Sequence, residues 1–522
     1  MRPIKYFKAL SITLLFVSFA LNTSEAKAEA LGSSNLIQNS MKGRINDVFI
    51  GDLAEIRKRR ILRVLVSYNR TNFFHTIRGQ RGLENDLVQA YIKYLNRGPR
   101  KERYQTHAVF LARPFNKLFS ELKAGKGDII ASGLTITPER QAAVDFTIPY
   151  IRNIQEILVS NKHLATVQRL EDLSEKQIIV VANSSYVIHL EQANQALGLL
   201  GLPGIEIIQA DPALEAEDLL EMVNAGLFEY TVVDNHIAEI YQRKFSDLKV
   251  YEDFIFYFGG KIAWAINHNQ PKLKRSLNDF LYKNAIPGRL LGNIIYKKYF
   301  KNAFWIEKPL SLTALNTTPC LQYYFEKYAE FYDFDWLLIA SQAYQESRFK
   351  QNIRSPAGAY GIMQIKYSTA SSKAVNIPNI KNLEDNIHAG VKYLAFIRDF
   401  YFSTPDYTPE DRINFSLAAY NAGPGRIRRL QRDALARGLD PYKWFYNVEI
   451  LARQFIGHET VNYVTKIQKT MIGVRSSFEL SKNKRRIKNE HFDTLEEMDY
   501  MKEDEENKDL KEQPQVSMHQ DH

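Results

Sequence analysis

The sequence predicts a multidomain protein in which an α/β module is followed by an all-helical domain. Three observations indicate this fold class. The chain has 522 residues, more than a single hydrophobic core usually supports. Short apolar strands alternate with helical segments between about residues 61 and 300, as they do in layered α/β folds. Beyond about residue 305 the strand pattern ends, and helical segments continue to about residue 475.

The first thirty residues have the pattern of an export signal. Basic residues precede an apolar stretch from Ala9 to Leu21, and small residues suited to cleavage follow around Ala28. The apolar stretch is shorter than a membrane-spanning helix needs, although an N-terminal membrane anchor is the alternative interpretation. We therefore predict an exported protein with a signal peptide over residues 1–30 and a polar leader over residues 31–58.

The composition of the chain limits which partners and which kinds of chemistry are expected. The formal net charge of +10 suits an anionic cell-wall polymer or a membrane surface, and it equally suits solubility alone. The single cysteine, Cys320, cannot form a disulfide within the chain, and it lies too far from the predicted signal for lipid modification there. No His or Cys cluster has metal-ligand spacing, and no phosphate-binding loop or nucleic-acid motif occurs. We predict no metal, no cofactor and no nucleic-acid partner.

The elements of the α/β half follow from runs of apolar residues and their period. The predicted strands lie at residues 62–67, 128–131, 178–182 and 230–233. The predicted helices lie at residues 84–95, 115–123 and 216–224. We place this module at residues 59–305.

Two neighbouring segments of this half resemble the periplasmic solute-binding proteins of the amino-acid-binding type. Residues 133–140 read Gly-Leu-Thr-Ile-Thr-Pro-Glu-Arg, and residues 144–150 read Val-Asp-Phe-Thr-Ile-Pro-Tyr. Both the order and the spacing of the two segments match. The resemblance covers about residues 60–300 and implies a bilobate α/β periplasmic-binding-protein-like module that closes on a small ligand.

The same resemblance implies four ligand-binding residues. Arg140 is expected to hold a carboxylate and Asp234 an ammonium group, while Thr135 and Ser184 add hydroxyl or backbone donors. For Arg140 the alternative is a structural ion pair with Glu139 or Asp145, and for Asp234 it is a helix cap. The expected ligand is an amino acid or a muropeptide-like molecule. Fusion to a second domain favours sensing over delivery to a transporter.

One carboxylate makes the helical half a candidate enzyme. In a helix over residues 335–349, Glu346 shares a face with Ile339, Gln342 and Ala343. That face is largely apolar, so burial is expected to raise the pKa of Glu346 and keep the side chain protonated near neutral pH. A protonated glutamic acid can donate its proton to a glycosidic oxygen. From the helix alone, an ordinary solvated glutamate is the alternative.

Three clusters follow Glu346-Ser347 in order. Residues 358–364 contain two glycines suited to tight turns and are expected to lead into a helix at residues 363–365. Residues 419–423 combine an aromatic ring, an amide and a glycine, and residues 459–464 lie in a helical stretch. Each cluster alone fits a plain turn, a capped helix end or a core tyrosine. Together and in this order they resemble the motifs of the family 1 lytic transglycosylases over about residues 320–472.

This second resemblance implies a lysozyme-like all-α domain, which we place at residues 306–475, with Glu346 as the catalytic acid and base. The residues implied to shape the substrate cleft are Ser347, Gly361, Met363, Gln364, Tyr420, Asn421 and Tyr463. Ser347 is further expected to orient the Glu346 carboxyl, and Gln364 to bind sugar hydroxyls.

The activity implied by the resemblance is that of a peptidoglycan lytic transglycosylase, which acts on glycan strands. Such an enzyme cleaves the β-1,4 bond between N-acetylmuramic acid and N-acetylglucosamine without water and leaves 1,6-anhydromuramyl products. Glycosidases usually use two carboxylates, and the nearest second one, Glu459, stands one helical turn before Tyr463. A hydrolytic muramidase of the same fold and a non-catalytic receptor for peptidoglycan or amino acids are the alternatives.

The order of the domains bears on where the protein is located. The domain order resembles that of membrane-attached lytic transglycosylases, which implies a periplasmic protein held peripherally on the inner face of the outer membrane.

Residues 476–522 are densely charged, with a basic run over 482–488 and an acidic block over 490–512. Such blocks are typical of disordered tails, and a docking tail is the alternative.

Overall fold

The computed structural model describes residues 47–482 except 77–78, 99–103, 302, 304–305, 307–309 and 311–318. The predicted signal peptide, most of the leader and the acidic block lie outside the described residues. Within them the chain forms two α/β lobes and one helical domain.

Strands and helices alternate through the first half of the chain, and helices dominate the second half. The strands are β1 (Ile61–Val66), β2 (Phe74–Thr76), β3 (Gly79–Arg81), β4 (His107–Ala112), β5 (Ile129–Ile130), β6 (Asp145–Phe146), β7 (Ile151–Asn161), β8 (Gln177–Val180), β9 (Glu206–Gln209), β10 (Tyr230–Asp234), β11 (Leu248–Ile262), β12 (Ala265–Ile266), β13 (Ala359–Tyr360) and β14 (Ile365–Lys366). The helices are α1 (Leu53–Arg59), α2 (Leu83–Leu95), α3 (Leu118–Lys123), α4 (Pro138–Ala143), α5 (Ser185–Leu199), α6 (Ala216–Asn224), α7 (Asn235–Gln242), α8 (Pro271–Phe280), α9 (Leu290–Tyr296), α10 (Pro319–Phe331), α11 (Trp336–Ser347), α12 (Tyr367–Ala370), α13 (Leu383–Tyr401), α14 (Pro409–Ala422), α15 (Pro424–Ala436), α16 (Glu449–Phe455) and α17 (458–482). Short 3-10 or π turns occur at Phe115–Lys117, Leu170–Leu173, Leu281–Ala285, Lys297–Lys301 and Trp444–Val448.

The first lobe is built on a five-stranded sheet of order β4-β1-β5-β12-β6. Strand β1 pairs in parallel with β4 and β5, and β12 runs antiparallel to β5 and β6. All six residues of β1 are buried, including Arg63, which pairs with Asp128 at 2.8 Å. A buried arginine is tolerated there because its charge is paired and hydrogen-bonded.

The second lobe has its own five-stranded sheet, of order β11-β7-β10-β8-β9. The chain enters this lobe after β6 and leaves it between β11 and β12, so two crossings connect the lobes. Two sheets joined in this way form a bilobate module in which the lobes can move as units. The predicted bilobate α/β fold is therefore confirmed.

The helical domain surrounds one large apolar core and a smaller apolar cluster that includes Ile365 and Val375. Fully buried members of the large core include Phe325, Ile339, Phe415, Trp444 and Val464. Helix α11 begins after Asp335, whose side chain accepts the Leu337 amide at 2.8 Å, and it buries nine of its twelve residues. The predicted all-α domain is confirmed, with the addition of one short hairpin formed by β13 and β14.

Most elements lie where the sequence placed them. The helix over residues 216–224 is confirmed without change, and the other strands and helices agree to within about two residues. The expected helix at residues 363–365 is wrong, because Ile365 and Lys366 form β14 and the helix begins only at Tyr367. At the ends, residues 53–59 form a helix where a leader was predicted, and residues 476–482 continue α17 where a tail was predicted.

Helix α17 of the helical domain touches both lobes of the module. Tyr68 in the first lobe donates to Asn462 Oδ1 at 3.3 Å. In the second lobe, Lys469 Nζ lies 2.5 Å from Asp218 Oδ2, and the Ser477 hydroxyl donates to a backbone carbonyl at 2.7 Å. Both lobes of the module therefore contact the same helix.

Candidate active site

Glu346 lies in the last turn of α11, where the helix meets the hairpin loop. Its side chain is half-buried, and its Oε1 atom accepts a hydrogen bond from the Tyr463 hydroxyl at 2.6 Å. Among the described residues the second carboxyl oxygen, Oε2, has no hydrogen-bond partner. One oxygen is thus fixed by the protein, while the other is available to carry a proton.

A buried amide supports this contact from behind. Gln342 is fully buried one helical turn before Glu346, and its Nε2 donates to the Tyr463 hydroxyl at 3.2 Å. Tyr463 is itself only 4% exposed. The sequence placed Gln342 on the Glu346 face but suggested no role for it. The i, i+4 spacing is the signal that could have identified it.

The surroundings of Glu346 raise the pKa of its carboxyl. Burial raises the pKa of Glu346 to about 7, because the charged form loses its hydration. The Tyr463 hydrogen bond lowers this pKa, since it favours the anion, and the negative charge of Glu459 raises it. Glu459 is exposed to solvent. Near neutral pH the Glu346 side chain therefore exists in both protonated and ionised forms.

The glycine loop beside Glu346 is held by an asparagine that the sequence motifs do not include. Asn386 is fully buried, accepts the Met363 amide at 2.9 Å and donates to the Tyr360 carbonyl at 3.0 Å. Gly361 has φ of 80°, and a Cβ atom there would lie 2.2 Å from the Asn386 side chain. Gly361 is therefore required for both its backbone conformation and its close packing.

Two predicted side-chain roles near this loop differ from the structure. The Ser347 hydroxyl donates to the backbone carbonyls of Ala343 and Ile362, so it ties the helix to the loop instead of orienting the Glu346 carboxyl. The Met363 side chain is fully buried, packed against Gly390, and contributes no surface to a cleft. Met363 contributes through its backbone carbonyl, which accepts the Tyr420 hydroxyl at 2.8 Å.

The remaining motif residues are partly accessible. The Gln364 amide donates to the Gly361 carbonyl at 2.8 Å, and its backbone has φ of 46°. Tyr420 and Asn421 are half-buried, and Asn421 Oδ1 accepts the Thr460 hydroxyl at 2.7 Å. Burial, followed by the charge of Glu346, raises the pKa of Tyr420. The structure thus brings the four motifs together around Glu346.

In the module, Arg140 bridges the two lobes. Its guanidinium donates to the Thr135 carbonyl in the first lobe at 2.9 Å and to the Asn183 carbonyl in the second at 3.2 Å. Within the described part of the chain it forms no ion pair with Glu139 or Asp145, so the structural alternative raised from the sequence does not apply.

All four residues predicted to bind the ligand line one cavity of about 60 Å³ between the lobes. Asp234 stands at the N-terminus of α7 without capping it, and it accepts the Tyr186 hydroxyl at 3.1 Å. Burial, followed by the charge of Glu156, raises the pKa of Asp234 to about 8. The Ser184 hydroxyl donates to the Val181 carbonyl at 2.6 Å.

Two further carboxyls at the start of α6 fill the cleft, and no sequence motif identified them. The Glu217 side chain of the second lobe accepts the Arg70 amide and the Thr71 hydroxyl of the first lobe. Burial raises the pKa of Glu215 to about 8 and also raises the pKa of Glu217. The lobes are therefore closed on the protein's own carboxyl groups.

Comparison with known proteins agrees with both halves of this description. Residues 62–302 match the bacterial extracellular solute-binding proteins, family 3, and residues 323–441 match the transglycosylase SLT domain. The fourth motif, at residues 459–464, lies beyond the second match. The fold, the clustered motifs and these matches define a peptidoglycan lytic transglycosylase with an N-terminal solute-binding-like module.

Relatives extend this assignment over most of the chain. The membrane-bound lytic murein transglycosylase F of Maricaulis maris is 31% identical over 443 residues, which cover 80% of this chain and 90% of that protein. The protein of the same name from Pseudoalteromonas translucida is 30% identical over 414 residues, which cover 75% and 79% of the two chains. The chain belongs to the membrane-bound lytic murein transglycosylase F family.

Solved structures with partial similarity include an ancestral arginine-binding protein bound to arginine, at 23% identity and a TM-score of 0.38, covering 46% of this chain and 98% of that one. The ancestral amino acid-binding protein AncCDT-1 is 26% identical with a TM-score of 0.39, covering 48% and 99%. Among the described residues, no helix combines the length and the apolar character needed to cross a membrane.

Proposed function

We propose that Glu346 is first the acid and then the base in a non-hydrolytic cleavage of the β-1,4 bond between N-acetylmuramic acid and N-acetylglucosamine. The observation that carries this proposal is the half-buried carboxyl with a pKa of about 7 and one oxygen fixed by Tyr463. A single group serves both steps when its pKa lies near the working pH.

In the first step, protonated Glu346 gives its proton from Oε2 to the glycosidic oxygen. The bond between that oxygen and C1 of the muramyl residue breaks, and N-acetylglucosamine leaves as the alcohol. The Tyr463 hydrogen bond to Oε1 fixes the carboxyl and stabilises the anion that forms. The acetamido oxygen of the muramyl residue stabilises the cationic C1.

In the second step, ionised Glu346 removes the proton from the muramyl C6 hydroxyl. The freed oxygen bonds to C1 and closes the 1,6-anhydro ring, so the enzyme recovers its proton and no water is consumed. A second catalytic carboxylate is not needed in this sequence. The exposed Glu459 acts only through its charge, which raises the pKa of Glu346.

The test is product analysis on purified peptidoglycan with the wild-type chain and the Glu346→Gln variant. We expect anhydro ends, which are one water lighter than hydrolysed ends, from the wild type and a loss of at least about a thousandfold in the variant. Glu459→Gln is the matched control and should remain active. Hydrolysed ends would identify a muramidase, and an inactive wild type would identify a receptor. Anhydro products from Glu346→Gln would remove Glu346 from the mechanism.

For the module we propose a sensing role, with a ligand that carries both a carboxylate and an amino group. Arg140 would exchange its carbonyl contacts for the ligand carboxylate, and Asp234 would ionise against the ammonium group. Buried carboxyls outnumber the one arginine in the cavity lining, which favours a cationic group. A cavity of about 60 Å³ is far below the roughly 300–1,000 Å³ of small-molecule sites, so the lobes must part to admit the ligand.

Calorimetric titration with L-arginine and with a peptidoglycan-derived muropeptide tests this assignment. The affinity of the wild-type chain for its ligand should increase between pH 6 and pH 9, because the bound ammonium favours ionised Asp234, whose pKa is about 8. Asp234→Asn should lose about tenfold or more in affinity together with this pH dependence. Equal affinity in the variant would remove Asp234 from the ligand site.

We further propose that the protein is exported to the periplasm and attached peripherally to the inner face of the outer membrane. The export-signal pattern and the words "membrane-bound" in the names of the relatives support this location. Fractionation with salt extraction tests it, because a peripheral protein leaves the membrane at high salt whereas an anchored one stays.

A further inference from the structure

Helix α9 of the module has an apolar face that the module does not bury. Five of its seven residues are apolar, yet only Ile295 is buried. Leu290 is 79% exposed and Ile294 is 54% exposed, and their i, i+4 spacing places them side by side. A helix on a soluble domain normally turns such residues inward. The core therefore does not account for the composition of α9.

Neighbouring residues extend this face. Tyr282 is 58% exposed, and the Arg289 guanidinium lies 5.6 Å from its ring centre while its Nε donates to the Tyr282 carbonyl. We refer to Tyr282, Leu290 and Ile294, with the exposed basic residues of positions 271–301, as the α9 surface.

The α9 surface lies in the most basic part of the module. Residues 271–301 contain eight lysines and arginines and one aspartate, which gives +7 of the chain's formal net charge of +10. Lys274 and Lys298 pair with acidic residues of the first lobe. The other basic side chains are all exposed and comprise Lys272, Arg275, Lys283, Arg289, Lys297 and Lys301.

The packing beneath α9 is open. A cavity of about 410 Å³ adjoins the helix at Gly292 and Ile295 and extends to Leu83 of α2 and Ile154 of β7. The inner side of α9 therefore borders both the core of the module, at Ile295, and this cavity.

We propose that the α9 surface is the site at which this protein contacts an anionic phospholipid membrane. Exposed leucine, isoleucine and tyrosine side chains in a segment rich in exposed lysines and arginines are the chemistry that binds a bilayer interface. The basic residues attract the negative lipid headgroups, and the apolar residues enter the boundary of the acyl region. This inference rests on the proposed peripheral attachment and assigns it to named residues.

A second exposed apolar pair occurs in a segment without basic residues, so apolar exposure alone does not identify a membrane-binding site. Leu199 and Leu200, at the end of α5, are 90% and 59% exposed. Residues 185–204 around them contain one glutamate and no lysine or arginine. The adjoining sequence of this pair thus lacks the basic residues that accompany α9, and the pair serves as a matched control.

The experiment is co-sedimentation of the full chain with vesicles of phosphatidylglycerol and phosphatidylethanolamine, and with vesicles of phosphatidylcholine alone. The wild type should bind the anionic vesicles and release them at high salt. Leu290→Asp/Ile294→Asp should weaken binding by about tenfold or more, as should Lys297→Glu/Lys301→Glu. The apolar control Leu199→Asp/Leu200→Asp should bind as the wild type does. Lys176 and Lys381 are exposed lysines outside residues 271–301, so the charge control Lys176→Glu/Lys381→Glu should also bind as the wild type does.

The outcomes separate the inference from the proposals on which it rests. If the wild type binds and the α9 variants bind equally well, peripheral attachment stands but the α9 surface is the wrong site. If the α9 variants instead lose binding to a peptide of residues 483–522 and keep vesicle binding, the surface serves the acidic tail and the inference is wrong. Cleavage of purified peptidoglycan should be unchanged in the α9 variants, which also shows that they fold.

Discussion

At the residue scale, the acidity of Glu346 is set by three separable influences. Burial is the largest and raises the pKa, the Tyr463 hydrogen bond lowers it, and the Glu459 charge raises it. Tyr463 and Glu459 lie one turn apart near the start of α17, so one short segment acts on the carboxyl in opposite senses. This arrangement lets the pKa lie between the value for a free carboxyl and that for a fully desolvated one.

Replacing these two residues should shift the pH profile in opposite directions. Glu346 must be protonated for the first step, so kcat/KM falls as the pH rises through its pKa. Glu459→Gln removes a charge that raises this pKa, and the alkaline limb should move to lower pH. Tyr463→Phe removes a hydrogen bond that lowers the pKa of Glu346, so the alkaline limb should move to higher pH. The lost positioning of the Glu346 carboxyl should also reduce kcat about 10–100-fold.

The measurement is the pH dependence of kcat/KM on soluble glycan fragments for the wild type and both variants. A shift of both alkaline limbs in the same direction would contradict the opposed roles of Tyr463 and Glu459. An unshifted limb in both would mean that another group controls the profile.

At the element scale, the sequence was informative wherever local pattern decides the structure. Runs of apolar residues identified β1 and β10, and helical periodicity identified α6 and α11, because burial acts on neighbouring residues. The segment at residue 363 was mispredicted because Asn386, more than twenty positions away, holds its backbone amide. No periodicity within the segment records such a distant partner.

The loop that carries Gly361 should tolerate no side chain. Gly361→Ala would place a Cβ at a backbone angle of 80° and within 2.2 Å of the Asn386 amide, so we expect a loss of about 2–4 kcal/mol in unfolding free energy. Activity should also fall, because the loop lies beside Glu346. Urea unfolding and the cleavage assay measure the two effects.

Gly425→Ala is the control for this prediction. Gly425 lies in the first turn of α15, and a Cβ there would meet no atom within 4 Å. Its unfolding free energy should stay the same or rise by up to about 1 kcal/mol, because alanine favours the helix. Equal destabilisation by both substitutions would refute the packing argument for Gly361.

At the scale of the whole molecule, an ion pair links the catalytic domain to the module. Lys469 of α17 contacts Asp218 of α6 at 2.5 Å, and both side chains are largely buried. Asp218 also accepts the Glu215 amide at the start of α6, beside the carboxyls that close the lobes. The charge of Lys469 lowers the pKa of Glu215, although burial outweighs it.

Removing this lysine should weaken the contact between the domains. Lys469→Met leaves a buried aspartate without its partner, and we expect a loss of about 3 kcal/mol in unfolding free energy. Lys469→Met/Asp218→Asn removes the stranded charge, keeps an acceptor for the Glu215 amide and should recover most of that loss. Thermal unfolding of the full chain measures both, and a double variant no more stable than the single one would show that the ion pair is not the cause.

The sequence could predict the domains but not how they meet. The lobes, the helical domain and the residues Arg140, Asp234 and Glu346 follow from motifs whose members lie close together in the chain. Their arrangement depends on contacts such as Lys469 with Asp218, whose partners are 251 positions apart. Glu215 and Glu217 were missed for the same reason, since their importance arises only where the two lobes approach each other.

Because α17 packs on both lobes and also carries Tyr463, a shortened protein would be a poor guide to the intact one. Deleting residues 60–300 would remove the residues that Asn462, Lys469 and Ser477 contact. It would therefore destabilise α17, the helix whose Tyr463 holds Glu346. A lower rate of cleavage after this deletion would reflect the destabilised helix. It would give no information on coupling between the module and the helical domain. Single-residue changes in an otherwise whole chain are the sounder way to ask whether ligand capture governs bond cleavage.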